Sequence, residues 1–334
     1  MNEDLLKRIK GIIIGCSFGD ALGMPTEAFT QEKVKKMYPD GVKTFIDSPP
    51  NNFIGRLMTA GSVTDDTINT IFVLDSLVEN KGKINADDFV KKILRWMDSS
   101  DNWKNVMGPS TAKALVSIQN GTPIEKAGIF GTTNGASMKI SPIGIISDYN
   151  NLNDLVNNVY QICLPTHNTK IAIQCASAIA AIISYVSEGG KNLDFIWELS
   201  IQVLKVSENY GFDMPSSSLG YKISHAKDII ENSSKEHALK RLYNEIGPGF
   251  ESVEFLPIVL AIITLSKGDP KEAAIISANY GGDTDTIGAI STAICGGMNP
   301  NFDSRDIELL EKVNEYNFEE IAKKILEYSP FFQI

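Results

Sequence analysis

The sequence predicts an all-α protein, folded as a single domain over residues 1–334, and three observations carry that expectation. Apolar residues recur at helical spacing in segment after segment. No run of β-branched residues alternates with period two, so strands are expected to be few or absent. No internal repeat or low-complexity linker divides the chain.

Taken in order, residues 5–19 combine Leu, Ile and Gly in a run suited to close packing. Residues 67–78 place Ile68, Ile71, Phe72, Leu74 and Leu77 or Val78 at helical spacing. Further helices are expected over 86–97, 110–120, 153–163, 169–187, 193–209, 252–266, 270–279, 286–295 and 306–327. Asp269-Pro270 reads as a helix start, and Gly121, Gly189-Gly190 and Gly211 read as stops. Loops are expected at 47–56, around Pro49-Pro50-Asn51-Asn52, at 128–135 and at 212–220. The longest apolar stretch, 171–186, is interrupted by Gln174, Ser177 and Ser184. It falls short of a membrane span and reads as a buried helix.

Hydrophobic residues make up 43% of the 334 positions and charged residues 22%, enough for a core that folds without disulfides or a structural metal. Any metal is then free for chemistry. The net charge of −10 argues against nucleic acid and anionic membranes as partners, since both select basic surfaces. Cys16, Cys163, Cys175 and Cys295 form no CxxC pair, so buried, reduced thiols are expected. The first residues lack the basic and apolar regions of a signal peptide, and a cytoplasmic protein is expected.

Two short segments stand out. Thr64-Asp65-Asp66-Thr67 precedes an amphipathic helix, and Asp283-Thr284-Asp285-Thr286 follows the turn Gly281-Gly282 and opens another. Each is readable as a helix cap whose acidic residues complement the helix dipole. Together they offer the hard oxygen donors that magnesium or manganese favours. Four gathered carboxylates would repel one another strongly without cations, so convergence would call for metal. The sequence alone leaves both readings open.

Further motifs accompany them in order. Gly15-Cys16-Ser17-Phe18-Gly19-Asp20-Ala21-Leu22-Gly23 leads to Pro25 and Glu27, and Gly108-Pro109-Ser110-Thr111 to Ala114-Leu115. Asn134-Gly135-Ala136-Ser137-Met138 and Thr166-His167 follow, and the last motif extends from Gly281 to Ile290. Taken with the acidic clusters, these motifs resemble the ADP-ribosylglycohydrolase family, which includes the dinitrogenase-reductase-activating glycohydrolases, from about Ile9 to Met298. The resemblance implies a compact orthogonal helical bundle with two Mg2+ or Mn2+ ions. It implies Thr64, Asp65, Asp66, Asp283, Asp285 and Thr286 as ligands, and Glu27 beside them. Catalysis is then expected from Glu27 with Asp66 and Asp285. His167 would line a ribose pocket, and Asn134, Gly135 and Ser137 would receive a diphosphate.

The implied reaction breaks an α-ribosyl bond through an oxocarbenium-like state, with an acidic side chain to activate water. The implied substrate is an ADP-ribosylated protein side chain or a small ADP-ribose conjugate, with the enzyme a monomer. Hydrolysis of a nucleoside or similar N-glycoside is the alternative enzyme. An inactive ADP-ribose-binding or structural relative is the alternative outside catalysis. Asp20 is expected to be a buried carboxylate bonded to nearby amides, and Lys139 either a phosphate partner or a solvated side chain. The sequence departs from the family pattern at Val63, where many members have tryptophan, and after Gly296-Gly297. It also has Val106-Met107-Gly108 where many have Asp-Ile-Gly, unless Asp98 or Asp101 takes that aspartate's place.

Overall fold

A computed structural model describes residues 2–50, 52, 57–99, 101 and 103–333. Among them the secondary structure is helical throughout, and the only β-type pairings are the isolated bridges Thr133–Glu251 and Thr169–Phe212. Seven helices position the site: α1 (Asn2–Gly23), α2 (Asp65–Glu79), α3 (Pro109–Gln119), α4 (Lys170–Glu188), α5 (Ser252–Leu265), α6 (Pro270–Tyr280) and α7 (Thr284–Met298).

The closest packing joins α1 to α7. Gly11, Gly15, Gly19 and Gly23 recur every fourth residue, so they share one stripe of α1. Opposite lie Gly296, Thr292, Gly288 and Thr284, again at intervals of four. A Cβ added at Gly19 would lie 2.0 Å from the Gly288 carbonyl oxygen, and one at Gly15 would lie 2.3 Å from that of Thr292. Only glycine allows two helix backbones to approach this closely. Both helices are buried from their middles to the ends that meet at the site, α1 at its C-terminus and α7 at its N-terminus.

Around this pair a continuous hydrophobic cluster runs from Leu5 to Ile325. Helix α4 passes through it with Ala172, Ala176 and Ala180 fully buried. Its 19 residues and mean hydropathy of 1.5 reach the length and composition of a membrane span, contrary to the expectation from its interrupting polar residues. Of its apolar window 83% is buried inside the protein, which accounts for the composition.

Several boundaries differ from expectation. The helix expected over 306–327 is two, Ser304–Asn314 and Phe318–Leu326. Glu315 adopts a left-handed conformation at φ 57°, and the side chain of Asn317 accepts from the Glu320 amide to start the second helix. Helices Gln31–Met37 and Lys235–Arg241 are short polar segments without a strong periodic signal, whereas Leu219–Glu231 was not expected although Leu219, Ile223, Ala226 and Ile229 recur at helical spacing. The loop expected at 128–135 ends in a 3₁₀ turn, Asn134–Ala136. Of the loop expected at 47–56, residues 51 and 53–56 lie outside the described residues.

Candidate metal centre

The first acidic tip begins at Thr64, which caps α2. Its Oγ1 accepts from the Asp66 amide at 3.4 Å and donates to Asp66 Oδ2 at 2.9 Å. A second cap comes from α1. The Asp20 carboxylate accepts from the Thr64 amide at 3.0 Å, the Thr67 amide at 3.1 Å and the Thr67 hydroxyl at 2.6 Å. Asp20 thereby holds the chain entering α2 and leaves Asp65 and Asp66 to project from the tip.

The second tip is turned by Gly281 and Gly282, at φ 83° and 78°, a region glycine occupies without strain. The Asp283 amide donates to Pro248 O at 3.0 Å. Asn134 Nδ2 donates both to Asp283 Oδ2, at 2.5 Å, and to Gly249 O, at 3.0 Å. Glu27 arrives from the end of α1 through the turn Met24–Thr26. Paired amides on both sides of Gly282, Ala28 N to Gly282 O and Gly282 N to Phe29 O, both 2.8 Å, dock that turn beside Asp283.

Carboxylate oxygens gather into two groups. Asp20, Asp66 and Asp285 each offer one within 4.8 Å of the others, and so do Glu27, Asp283 and Asp285. Asp285 belongs to both, so the geometry describes two adjacent places for a cation. Burial, then the charge of Asp285, raises the pKa of Asp66 and of Asp283 well above the ordinary carboxylate value. The same two causes lift Asp20 to about 7. Asp66 Oδ1 is buried with no hydrogen-bond partner. Buried oxygen donors, mutual repulsion and an unsatisfied carboxylate oxygen are the features a divalent cation would relieve, so the residues fit such an ion.

A pocket of about 470 Å³ opens over these groups. Of the residues expected to act, Glu27, Asp65, Asp66, Asp283, Asp285, Thr286, Asn134 and Gly135 line it. Thr64 is fully buried behind Asp66. Ser137 is also fully buried, its hydroxyl donating to Cys175 Sγ at 3.2 Å. His167 is fully buried too, in contact with Gly135, where an added Cβ would lie 2.6 Å from the imidazole Cε1. Ser137 and His167 therefore support the pocket from below. Lys139 is 1% exposed, so it is not a solvated side chain. Thr133 and Phe250 line the pocket without having been singled out in the sequence. Thr133 adjoins the expected Asn134 loop, which is the one signal that could have found it.

Two acidic helix tips share one central carboxylate beneath a pocket, an arrangement of buried oxygen donors that could hold metal. The sequence profile described as ADP-ribosylglycohydrolase matches residues 1–329, and the chain belongs to that family. The family's activity class is hydrolysis of ADP-ribosyl glycosidic bonds. The chain is 32% identical over 327 residues to the uncharacterized protein YegU of Escherichia coli (strain K12), covering 96% of this chain and 97% of that one. It is 21% identical to the ADP-ribosylhydrolase ARH3 of Xenopus tropicalis, over 87% of each chain. A solved structure titled "ADP-ribosylglycohydrolase-related protein complex" shares the fold, with a TM-score of 0.69 at 20% identity, covering 98% of this chain and 99% of that one.

Proposed function

We propose that this protein hydrolyses an α-linked ADP-ribosyl bond at the pocket over the two acidic tips, with two divalent cations held there. The observation that carries the proposal is the sharing of Asp285 between two carboxylate groups. Asp20, Asp66 and Asp285 would surround one cation and Glu27, Asp283 and Asp285 the other, with Asp65 and Thr286 on the pocket wall beside them. When bound, the ions would supply Lewis-acid polarisation and anchor vicinal sugar hydroxyls.

The chain's own groups account for the rest. Glu27 stands at the pocket edge, half-buried, where it can take a proton from the attacking water. The water oxygen bonds to the anomeric carbon while the bond to the leaving atom breaks, its electron pair going with that atom, which then receives the proton Glu27 took from the water. Positive charge developing on the ribose in the transition state is stabilised by the surrounding carboxylates. Asn134 keeps Asp283 oriented through its 2.5 Å hydrogen bond.

The wall formed by Val106, Met107 and Gly108 carries no carboxylate side chain. Asp101 is paired with Lys104 at 2.6 Å, and neither Asp98 nor Asp101 lines the pocket. The Asp65 carboxylate reaches this wall, its Oδ2 accepting from the Gly108 amide at 3.3 Å, so a guanidinium leaving group would meet Asp65 there.

The test is release of ADP-ribose from arginine-linked, serine-linked and O-acetyl substrates, with a nucleoside panel alongside, in magnesium and in EDTA. Asp285→Ala is expected to lose nearly all magnesium-dependent release. Full activity in that variant would overturn the proposed centre, and cleavage of nucleosides alone would overturn the ADP-ribosyl assignment.

A further inference from the structure

Beneath the pocket floor lies a chain of polar side chains that the reaction above leaves unused. Lys139 is almost wholly buried and, among the described residues, makes no ion pair. Its Nζ donates to the Gly135 carbonyl at 2.5 Å and to Thr166 Oγ1 at 3.3 Å. Thr166 Oγ1 lies 2.9 Å from His167 Nδ1, and His167 Nε2 lies 3.0 Å from Thr133 Oγ1. Thr166 and His167 are buried, whereas Thr133 is half-buried and lines the pocket.

The chemistry of these groups sets a direction. Burial lowers the Lys139 pKa to about 8, so at neutral pH and below it is an ammonium that only donates. Thr166 Oγ1 then accepts from Lys139 and keeps its own proton to give. Among the described residues the other partner of that hydroxyl is His167 Nδ1, and a buried hydroxyl proton is costly to leave unbonded. Nδ1 is then an acceptor. Burial, reinforced by the nearby Lys139 ammonium, holds the His167 pKa well below its ordinary value, so the ring is neutral with its single proton on Nε2. That proton goes to Thr133 Oγ1, which leaves the Thr133 hydroxyl proton to point into the pocket.

We infer that Lys139 is a positioning residue that orients this relay, so that Thr133 presents a hydrogen-bond donor to an acceptor oxygen of the bound substrate. The inference rests on the pocket being the substrate site as proposed above. A buried lysine explains the direction because no carboxylate or amide at that position could impose it. An ionised carboxylate would only accept and so reverse the direction, and an amide could present either its NH2 or its oxygen.

The imidazole tautomer reports the relay directly. The chain has only three histidines, so histidine-labelled protein gives a resolvable nitrogen NMR spectrum. Wild type is expected to show His167 protonated at Nε2, and Lys139→Arg to retain that signature. Lys139→Met is expected to give the other tautomer or a mixture, while the His225 and His237 signals stay in place. Thr166→Val, which removes the same donor to Nδ1, serves if Lys139→Met does not fold. An Nδ1-protonated ring in wild type, or an unchanged tautomer in Thr166→Val and in any folded Lys139→Met, would overturn the inference.

Binding then tests the pocket end. In magnesium buffer, Thr133→Val is expected to weaken ADP-ribose by about 3- to 10-fold, the worth of one neutral hydrogen bond. Equal weakening of ADP and ADP-ribose would assign the acceptor to phosphate, and weakening of ADP-ribose alone would assign it to the terminal ribose. Unchanged binding of both would refute the role of Thr133. Failure of wild type to bind either would overturn the substrate assignment, and the tautomer would still decide the relay.

Discussion

Gly19→Ala tests whether the close approach of α1 and α7 builds the site. The added Cβ would lie 2.0 Å from Gly288 O, 2.3 Å from Gly288 C and 2.7 Å from Thr292 Oγ1. Non-bonded heavy atoms settle near 3.5 Å, so the helices must part by about 1 Å or more. Overpacking typically costs about 1–3 kcal/mol, and because two of the opposing atoms are backbone the upper end applies. Alanine returns about 1 kcal/mol through helix propensity, leaving a net loss of about 2 kcal/mol. Urea unfolding should show the midpoint falling with the slope unchanged. Gly220, which meets nothing closer than 3.8 Å, is the control, and Gly220→Ala should stabilise by up to about 1 kcal/mol. Asp20 and Asp285 sit at this seam, so a 1 Å displacement should also cut ADP-ribose release by about 10²-fold. A Gly19→Ala protein as stable and as active as wild type would refute the argument.

Other expectations follow from the buried charges and thiols. The pKa values of Asp66 and Asp283 are raised on folding, whereas an unfolded aspartate titrates near about 3.9. The folded, metal-free protein therefore binds more protons above that pH, and these groups cost it stability as pH rises. Metal-free Asp66→Asn should gain on wild type as pH climbs from 4.5 to about 7.5 in thermal unfolding, and magnesium should stabilise wild type most at the upper end. A constant difference across that range would count against the clustering. Asp20→Asn should lower stability by about 2–3 kcal/mol in urea unfolding, since an amide cannot accept all the hydrogen bonds Asp20 takes from Thr64 and Thr67. All four cysteines are buried, and burial lifts Cys163 to about 11 and Cys175 and Cys295 to about 12. A thiol reagent at pH 8 should find no fast-reacting thiol in the native protein and four after denaturation.

The acidic tips were legible in the sequence because a helix start is a local event. Thr64 and Asp283 sit where a capping residue belongs, and the Gly281-Gly282 turn announces itself. The break at Glu315 also left a trace, since Asn317 followed three residues later by Glu320 is a capping pattern. Asp20 was legible only as a buried carboxylate, because the amides it caps lie 44 and 47 residues away. His167 and Ser137 were placed in the pocket by analogy of motif, yet whether a side chain lies on a surface or behind it depends on packing from several elements. Nothing at positions 137 or 167 encodes that the Gly135 loop covers them.

The glycine stripe and the acidic cluster are two sides of one requirement. Bringing Asp20, Asp66 and Asp285 within 4.8 Å works against both burial and repulsion, so the scaffold must resist splaying. Side-chain contacts alone would yield, because long side chains can rotate away from one another. The α1–α7 seam puts backbone against backbone at Gly11, Gly15, Gly19 and Gly23, where the nearest opposing atom is in each case a main-chain carbonyl oxygen. It also ends where the chemistry begins, with Gly23 against Thr284 and the Thr26 hydroxyl donating to Ala278 O at 2.7 Å. A looser pair of helices could present the same residues, but the mutual repulsion of the carboxylates would drive them apart. The seam opposes that separation, so parting the two helices should part the carboxylates as well.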